Sequence, residues 1–280
     1  MPTVLSLQSR VAYGHVGNAA SVFPLQRLGI EAWALDTVAF SNHTGHGRWR
    51  GSVVPAAEIA LLFEGIAELG VLPRIDAVLS GYLGDVATGP VLIDIVERVR
   101  SANPEALFCC DPVIGDVETG SYVTEGIAEF FRDRALALAD IVTPNQFELE
   151  YLMDRRVASL AEAASAAEGL RARGPGIVLV TSLAAEPGQV TMLAAGPEGA
   201  WVVETPRLPV VLNGCGDVTA ALFLAQLLRG ASLPDALGLT ASSIFAVIET
   251  TAREDRYELA LVMAQDELLS PTRRFAPRRL

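Results

Sequence analysis

Short apolar runs alternate with helical patterns along most of the chain, and this alternation most constrains the fold. Runs typical of buried strands cover residues 3–7, 31–38, 76–80, 107–110, 140–142 and 177–180. Helical patterns cover residues 19–28, 55–69, 90–102 and 160–173. Alternating strands and helices predict an α/β fold with a doubly wound, mainly parallel sheet flanked by helices.

The 280 residues show no linker and no break in composition, so we expect one domain spanning 1–280. Segments 190–194 and 200–204 are typical of an antiparallel pair joined by a glycine-rich turn. The polar, glycine-rich stretch 40–47 is typical of a small flap. Residues from about 270 to 280 are arginine-rich, and we expect them to form a flexible, solvated tail.

The chain is acidic, with 21 Lys and Arg against 33 Asp and Glu and a formal net charge of −12. An acidic chain without a basic stripe is poorly suited to binding nucleic acid. No apolar run reaches the length of a membrane span, and no signal peptide is recognisable. Its 3 cysteines lack metal-type spacing and suit a reducing compartment. We therefore expect a cytoplasmic protein that binds neither nucleic acid nor membranes.

The stretch Asn213-Gly214-Cys215-Gly216-Asp217 stands directly before a helical pattern with apolar residues at 218, 222, 225 and 228. The first N–H groups of a helix have no partner within it and carry the positive end of its dipole. Glycine lets the backbone approach a ligand closely. The stretch therefore predicts a site for an anion such as phosphate.

Asp217 is unexpected beside an anion, because its carboxylate would be repelled. One interpretation is a general base that takes a proton from a substrate hydroxyl during phosphoryl transfer. The other is a helix-terminal aspartate that offsets the dipole. The spacing alone does not choose between them.

Several predicted strands end in polar residues or glycine, notably Ser9, Tyr82, Asp111, Thr143 and Asn145. Ligands of open α/β sheets bind at the carboxyl ends of the strands. We therefore expect these residues to meet the glycine stretch in one crevice.

Two acidic pairs in this region have alternative interpretations. Asp111 and Asp116 could hold Mg²⁺, which prefers oxygen ligands, or they could simply form turns. Asn145 and Glu148 form a capping-box pattern that is compatible with a position near Mg²⁺ and phosphate. His43, in the flap with a second histidine, could bind a metal, but a contact with substrate is the interpretation we favour.

Two familiar nucleotide motifs are missing from the sequence. The chain has no Gly-x-x-x-x-Gly-Lys-Ser/Thr loop, which excludes a Walker-type NTPase. It has no Gly-x-Gly-x-x-Gly after a strand, which argues against a Rossmann dehydrogenase.

Six segments, in order along nearly the whole chain, resemble the pyridoxal kinases of the ribokinase-like superfamily, most closely the bacterial PdxY type. They are QSRVAYGHVGN at 8–18, FSNHT at 40–44, VLSGYLG at 78–84, CDPVIGD at 110–116, TPNQFELE at 143–150 and GCGDVT at 214–219. The resemblance implies ATP-dependent phosphorylation of the 5′-hydroxymethyl group of pyridoxal by a homodimer in the cytoplasm. It also implies Mg²⁺, with a possible requirement for K⁺.

The resemblance also assigns roles on the substrate side. Asp217 would contact the substrate and act as the base, and the anion hole would be formed by Gly214, Cys215 and Gly216. Ser9 would hydrogen-bond the pyridine ring, Tyr82 would line its pocket, and the flap residues Thr44 and Gly45 would cover it.

On the nucleotide side, the resemblance places Asp111, Thr143 and Glu148 at the ATP phosphates and Mg²⁺. Asp116 and Asn145 would lie near the metal. Relatives often carry a lysine at the position of Thr181, which would also face ATP, and the segment 201–214 is shorter than in close relatives. Arg207 could partly replace the missing positive charge.

Two alternatives stay open. A hydroxymethylpyrimidine-type kinase would share the fold and the chemistry of Asp217. A vitamin B6 carrier or sensor that has lost catalysis is suggested by Thr181, although the retained Gly214-Cys215-Gly216-Asp217 argues against it.

Overall fold

A computed structural model describes residues 1–184 and 187–280. The strands are β1 (Thr3–Val11), β2 (Glu31–Phe40), β3 (Gly51–Val53), β4 (Ala77–Ser80), β5 (Leu107–Cys110), β6 (Gly115–Asp116), β7 (Gly120–Ser121), β8 (Ile141–Val142), β9 (Ile177–Leu183), β10 (Gln189–Gly196), β11 (Gly199–Pro206) and β12 (Arg278–Arg279). The helices are α1 (Asn18–Arg27), α2 (Ala56–Glu68), α3 (Thr88–Ala102), α4 (Ile127–Phe130), α5 (Gln146–Met153), α6 (Leu160–Arg171), α7 (Cys215–Leu228), α8 (Leu233–Arg253) and α9 (Gln265–Leu269).

Within the residues described, ten strands form one sheet in the order β12-β11-β10-β9-β8-β5-β4-β1-β2-β3. The six strands from β9 to β2 in this order pair in parallel. The strands outside them pair antiparallel. This arrangement confirms the predicted α/β fold with a mainly parallel sheet.

The sheet is covered by helices on both faces, and successive residues of its strands point to opposite cores. In β5, Phe108 and Cys110 pack in one core and Cys109 in the other. Helices α2 to α6 cover the first core, whereas α1, α7, α8 and α9 cover the second. Burial on both faces explains why the central strands are apolar along their length. No helix in the described part of the chain is long and apolar enough to cross a membrane.

The flap consists of residues 41–50 between β2 and β3. Strand β3 pairs antiparallel with the end of β2, where Phe40 faces Gly51. A short 3₁₀ turn, Thr44–His46, lies between them. The hairpin therefore presents this turn at the carboxyl end of β2, on the side where the site is expected.

The chain terminus differs from the flexible tail that we expected. Arg278–Arg279 pair with β11, and the Arg279 guanidinium lies 5.7 Å from the centre of the Trp201 ring. Phe275 packs edge-on against Phe245 with ring centroids 5.0 Å apart. Aromatic packing and cation–π contacts explain how an arginine-rich segment is held on the sheet edge.

Candidate active site

The strand ends converge through backbone hydrogen bonds that continue the sheet past its last strand residues. Asp111 N–H donates to the Ser80 carbonyl (3.0 Å), and Thr143 N–H donates to the Cys110 carbonyl (3.1 Å). Thr181 N–H donates to the Pro144 carbonyl (3.0 Å). Asp111, Thr143 and Thr181 are therefore held side by side at the carboxyl edge, as the strand-end prediction requires.

The glycine stretch forms the N-terminus of α7, with Gly214 as its cap residue at φ 85°. A Cβ at this position would overlap with the His15 carbonyl oxygen. Both the positive φ and this close contact therefore require glycine at position 214. Among the described residues no side chain caps this end of the helix. The N-terminus of such a helix favours a bound anion, and the anion hole at Gly214, Cys215 and Gly216 stays a prediction.

Asp217 stands in the first turn of α7 and is only partly exposed. Desolvation by burial raises the pKa of its carboxyl to about 6, against the opposing effect of hydrogen bonds from the Gly17 N–H and its own N–H. The Ser21 hydroxyl donates to the Asp217 carbonyl oxygen (3.2 Å) and ties the turn to α1. A carboxylate with this pKa is largely ionised at neutral pH and is basic enough to accept a proton.

A second carboxyl, Asp111, lies buried near Asp217. Its Oδ1 accepts a hydrogen bond from the Thr143 hydroxyl (2.9 Å). Burial, reinforced by the negative charges of Glu148 and Asp217, raises the pKa of Asp111 well above its usual range. A buried carboxyl with a raised pKa tends to keep its proton until a cation binds nearby, so a cation bound here would favour the carboxylate form.

Glu148 and Asn145 form the predicted capping box at the start of α5. The Asn145 side chain accepts from the Glu148 N–H (3.0 Å), and Glu148 Oε2 accepts from the Asn145 N–H (2.9 Å). Glu148 Oε1 accepts from the Ile114 N–H (2.9 Å). Burial raises the pKa of Glu148 to about 8, although these backbone donors oppose the shift.

The residues expected near Mg²⁺ are already engaged with protein groups. Asp116 Oδ1 accepts the N–H groups of Glu118 and Thr119, which is a turn-forming role, and Asn145 donates to the Gly115 carbonyl (2.7 Å). No group of three His, Cys, Asp or Glu side chains within 1–184 and 187–280 is arranged to hold a metal. This donor set fits Mg²⁺ coordinated mainly by nucleotide phosphates and water, with the protein contributing negative charge.

The residues expected to contact the substrate ring come from β1, from the segment after β4 and from the flap. Ser9 is buried next to Gly17, whose N–H reaches the Asp217 carboxyl. Tyr82 is half-buried, and its carbonyl accepts the Thr37 hydroxyl (2.6 Å). Thr44 is exposed on the flap, and a Cβ at Gly45 would lie 3.3 Å from Asn213 Nδ2. The flap therefore lies directly beside the glycine stretch.

Sequence reasoning missed Glu258, a buried carboxylate at the flap. Its Oε1 lies 2.6 Å from His46 Nε2, and its Oε2 accepts the His15 N–H (3.0 Å). His46 and Glu258 are 212 positions apart, and no local pattern marks the glutamate. The two flap histidines face a carboxylate and, in the part of the chain described, they form no metal centre.

Thr181 is buried at the end of β9, where the resemblance would place a lysine. The Arg207 side chain is exposed, and its N–H donates to the Gly188 carbonyl (2.9 Å). The participation of either residue in binding ATP stays a prediction.

Comparison with known proteins identifies the family of this chain. The family model for phosphomethylpyrimidine kinase matches residues 71–258. A pyridoxal kinase PdxY of Rubrobacter xylanophilus is 58% identical over 99% of this chain and 97% of the relative. That of Granulibacter bethesdensis is 51% identical over 96% of each. The pyridoxal kinase of Leishmania donovani, solved with ADP and pyridoxamine, superposes with a TM-score of 0.94 at 29% identity over 100% of both chains.

The coverage extends over nearly the whole chain and nearly the whole length of these relatives. The chain is therefore a phosphotransferase of the ribokinase-like fold and belongs to the pyridoxal kinases of the PdxY type.

Proposed function

We propose that this chain transfers the γ-phosphoryl group of ATP to the 5′-hydroxyl of pyridoxal, giving pyridoxal 5′-phosphate and ADP. The observation that carries this proposal is Asp217, a carboxylate with a pKa of about 6 at the uncapped N-terminus of α7. The relatives named above are pyridoxal kinases, and one of them was solved with ADP and pyridoxamine.

In the proposed reaction Asp217 accepts the hydroxyl proton while the 5′-oxygen attacks the γ-phosphorus and the bond to ADP breaks. The backbone of Gly214, Cys215 and Gly216 at the start of α7 would stabilise the charge that develops on the transferring phosphoryl group. Ser9 and Tyr82 position the ring, and Thr44 and Gly45 of the flap exclude water from it.

On the nucleotide side, Mg²⁺ would offset charge on the ATP phosphates. Asp111, whose Oδ1 accepts from the Thr143 hydroxyl, would serve as a carboxylate near the metal once the cation favours its ionised form. Asp116, Asn145 and Glu148 have protein partners for the atoms described above, so we expect them to act through water or through charge. Whether K⁺ is required is part of the test.

A hydroxymethylpyrimidine is the second candidate acceptor, because the matching family model describes phosphomethylpyrimidine kinase. Both acceptors present a hydroxymethyl group on a flat nitrogen heterocycle, so Asp217 would serve either. Contacts to the ring, rather than the chemistry, must distinguish them.

The deciding experiment is a substrate panel with purified protein and MgATP, in K⁺ or Na⁺ buffer. Pyridoxal, pyridoxine, pyridoxamine and hydroxymethylpyrimidine are compared by kcat/KM. We expect pyridoxal to be the best acceptor. Faster turnover of the pyrimidine would replace the proposal with the second candidate, and tight pyridoxal binding without turnover would indicate a carrier or sensor.

Asp217→Asn tests the base directly. The amide preserves shape but not basicity, so kcat should fall by about 10²–10⁴ while the Kd for pyridoxal changes little. Asp235→Asn is a matched control, because Asp235 occupies the same position in the first turn of α8. A variant at 217 that keeps most of its kcat would show that Asp217 is not the base.

We further propose a homodimer. Helix α2 exposes Leu61 and Leu62, its C-terminal cap residue Leu69 is exposed, and the edge strand β3 exposes Val53, so apolar side chains are available for an interface. Sedimentation should give twice the chain mass of 29.7 kDa, and Leu61→Glu should give the single-chain mass. Leu269→Glu, on α9, is the control. A wild-type protein at the single-chain mass would contradict the dimer.

A further inference from the structure

Glu258 joins three segments that are distant in the sequence. Its carboxylate contacts His46 in the flap (2.6 Å) and the His15 N–H in the loop after β1 (3.0 Å). Glu258 itself lies in the segment between α8 and α9 and is 6% exposed. A buried carboxylate is retained at little cost only when it is paired and hydrogen-bonded, and both oxygens here have partners.

The fit around this carboxylate is tight. A Cβ at Gly14 would overlap with the Glu258 carboxyl group, and Gly14 has a φ of 96°. Glycine at this position therefore lets the loop close over the glutamate. The part of this loop at Gly14 and His15 is therefore held by Glu258 and not by a helix or strand.

The same loop contacts the anion site. The His15 carbonyl packs against Gly214, which caps α7. Asn213, the residue before Gly214, lies next to the flap residue Gly45. His15 therefore connects Glu258 to the glycine stretch: its N–H donates to the Glu258 carboxylate, and its carbonyl packs against Gly214. His46 connects the same carboxylate to the flap.

The flap has other contacts besides the His46–Glu258 pair. The Tyr13 N–H donates to the Ser41 carbonyl (2.9 Å), the Tyr13 and His46 rings lie edge-on with centroids 6.0 Å apart, and Trp49 packs on Phe40 (4.3 Å). The bonds from Asn42 Nδ2 to the Arg48 carbonyl (2.7 Å) and from the Gly45 N–H to His43 Nδ1 (3.0 Å) are internal to the flap. Residues 44 to 50 are exposed to solvent. A segment with few buried contacts opens at little free-energy cost. The His46–Glu258 pair is therefore well placed to decide how often the flap is closed.

We propose that Glu258 is a positioning residue that holds the flap closed on the acceptor by pairing with His46, and holds the loop 13–17 against Gly214 through the His15 N–H. This inference rests on the proposed function, because the flap is assigned to the pyridoxal side of the site. Glu258 touches neither substrate nor the reacting atoms in this assignment. Glu258 therefore affects catalysis indirectly, by raising the affinity of the enzyme for the acceptor.

The first readout is independent of turnover. Hydrogen–deuterium exchange of the amides at 44–47 should be faster in His46→Ala and in Glu258→Ala than in wild type. His46 is a surface side chain, so His46→Ala keeps the fold even if Glu258→Ala loses stability. Asp266→Ala is the control, because Asp266 lies in α9 and pairs with Arg27 of α1 (2.7 Å) rather than with the flap.

The second readout is kinetic. Both variants should raise the KM for pyridoxal about tenfold, which is typical of losing a hydrogen bond to a charged group, and leave the KM for MgATP within about twofold. Glu258→Gln should restore most of the affinity, since an amide can accept the His15 N–H and donate to His46 Nε2. In the Glu258→Ala background, His46→Ala should add nothing.

Unchanged flap exchange in His46→Ala would overturn the proposal, as would equal increases in the KM values for pyridoxal and MgATP. Additive effects in the double variant would also overturn it. A wild-type protein that does not phosphorylate pyridoxal would instead refute the proposed function, and the exchange measurement would still decide the role of Glu258.

Discussion

At the scale of single residues, Asp217 should set the acid limb of the pH profile. Its carboxyl has a pKa of about 6, and only the ionised form accepts a proton. Because kcat/KM reports the free enzyme, it should fall about tenfold per pH unit below this value and level off above it. The measurement is kcat/KM for pyridoxal between pH 5 and pH 8, at fixed ionic strength. A profile that stays flat down to pH 5 would contradict this assignment.

Gly214 and Gly216 share a motif but face different surroundings. Gly214→Ala should lower both stability and activity strongly, since the backbone has a φ of 85° and the new methyl group would overlap with the His15 carbonyl. A Cβ at Gly216 meets no atom within 4 Å, so Gly216→Ala should leave Tm unchanged or raised.

Thermal unfolding and kcat of the two variants check this contrast. Loss of kcat in a stable Gly216→Ala protein would locate the phosphoryl group at that backbone. Similar Tm losses in both variants would contradict the structural difference between the two glycines.

At the scale of elements, the start of α5 serves both stability and the site. Asn145→Ala removes the cap and the bond to Gly115, and it should cost about 1 kcal/mol of unfolding free energy. It should also raise the KM for MgATP, because the Glu148 N–H loses its acceptor and the first turn of α5, which positions the Glu148 carboxyl, is held less firmly. Ser159→Ala is the matched control, since Ser159 caps α6 in the same way (3.2 Å) but away from the crevice.

Denaturant unfolding and steady-state kinetics separate the two effects. Both variants should lose similar stability, and only Asn145→Ala should change the KM for MgATP. A parallel change of that KM in Ser159→Ala would mean that stability alone explains the effect.

At the scale of the whole molecule, the C-terminal segment should stabilise the sheet edge without affecting catalysis. Phe275 packs on Phe245 of α8 with ring centroids 5.0 Å apart, and its N–H donates to the Ser242 hydroxyl (3.0 Å). Phe275→Ala should cost about 2 kcal/mol from lost burial. Urea unfolding and kcat on the same sample check this, and an unchanged unfolding midpoint would show that the segment contributes nothing.

Much of the fold could be predicted because its signals are local. The apolar strands, the helix after the glycine stretch and the Asn145–Glu148 capping box each depend on residues within a few positions of one another. A parallel sheet then places the strand ends at one edge, so Asp111 and Thr143 were expected together before their 2.9 Å contact was seen. These features can be predicted from the spacing of apolar residues, from the residues typical of turns and caps, and from the topology of a parallel sheet.

Other features depend on contacts between distant segments, which only the tertiary structure decided. The sequence could not indicate that Glu258 would reach His46, that the arginine-rich terminus would form β12 against Trp201, or that Gly214 would pack on His15. Nor could it show which carboxyl groups would be desolvated enough to shift their pKa values. Side-chain pairing and burial depend on which surfaces meet after folding, and local patterns along the chain do not encode that geometry directly.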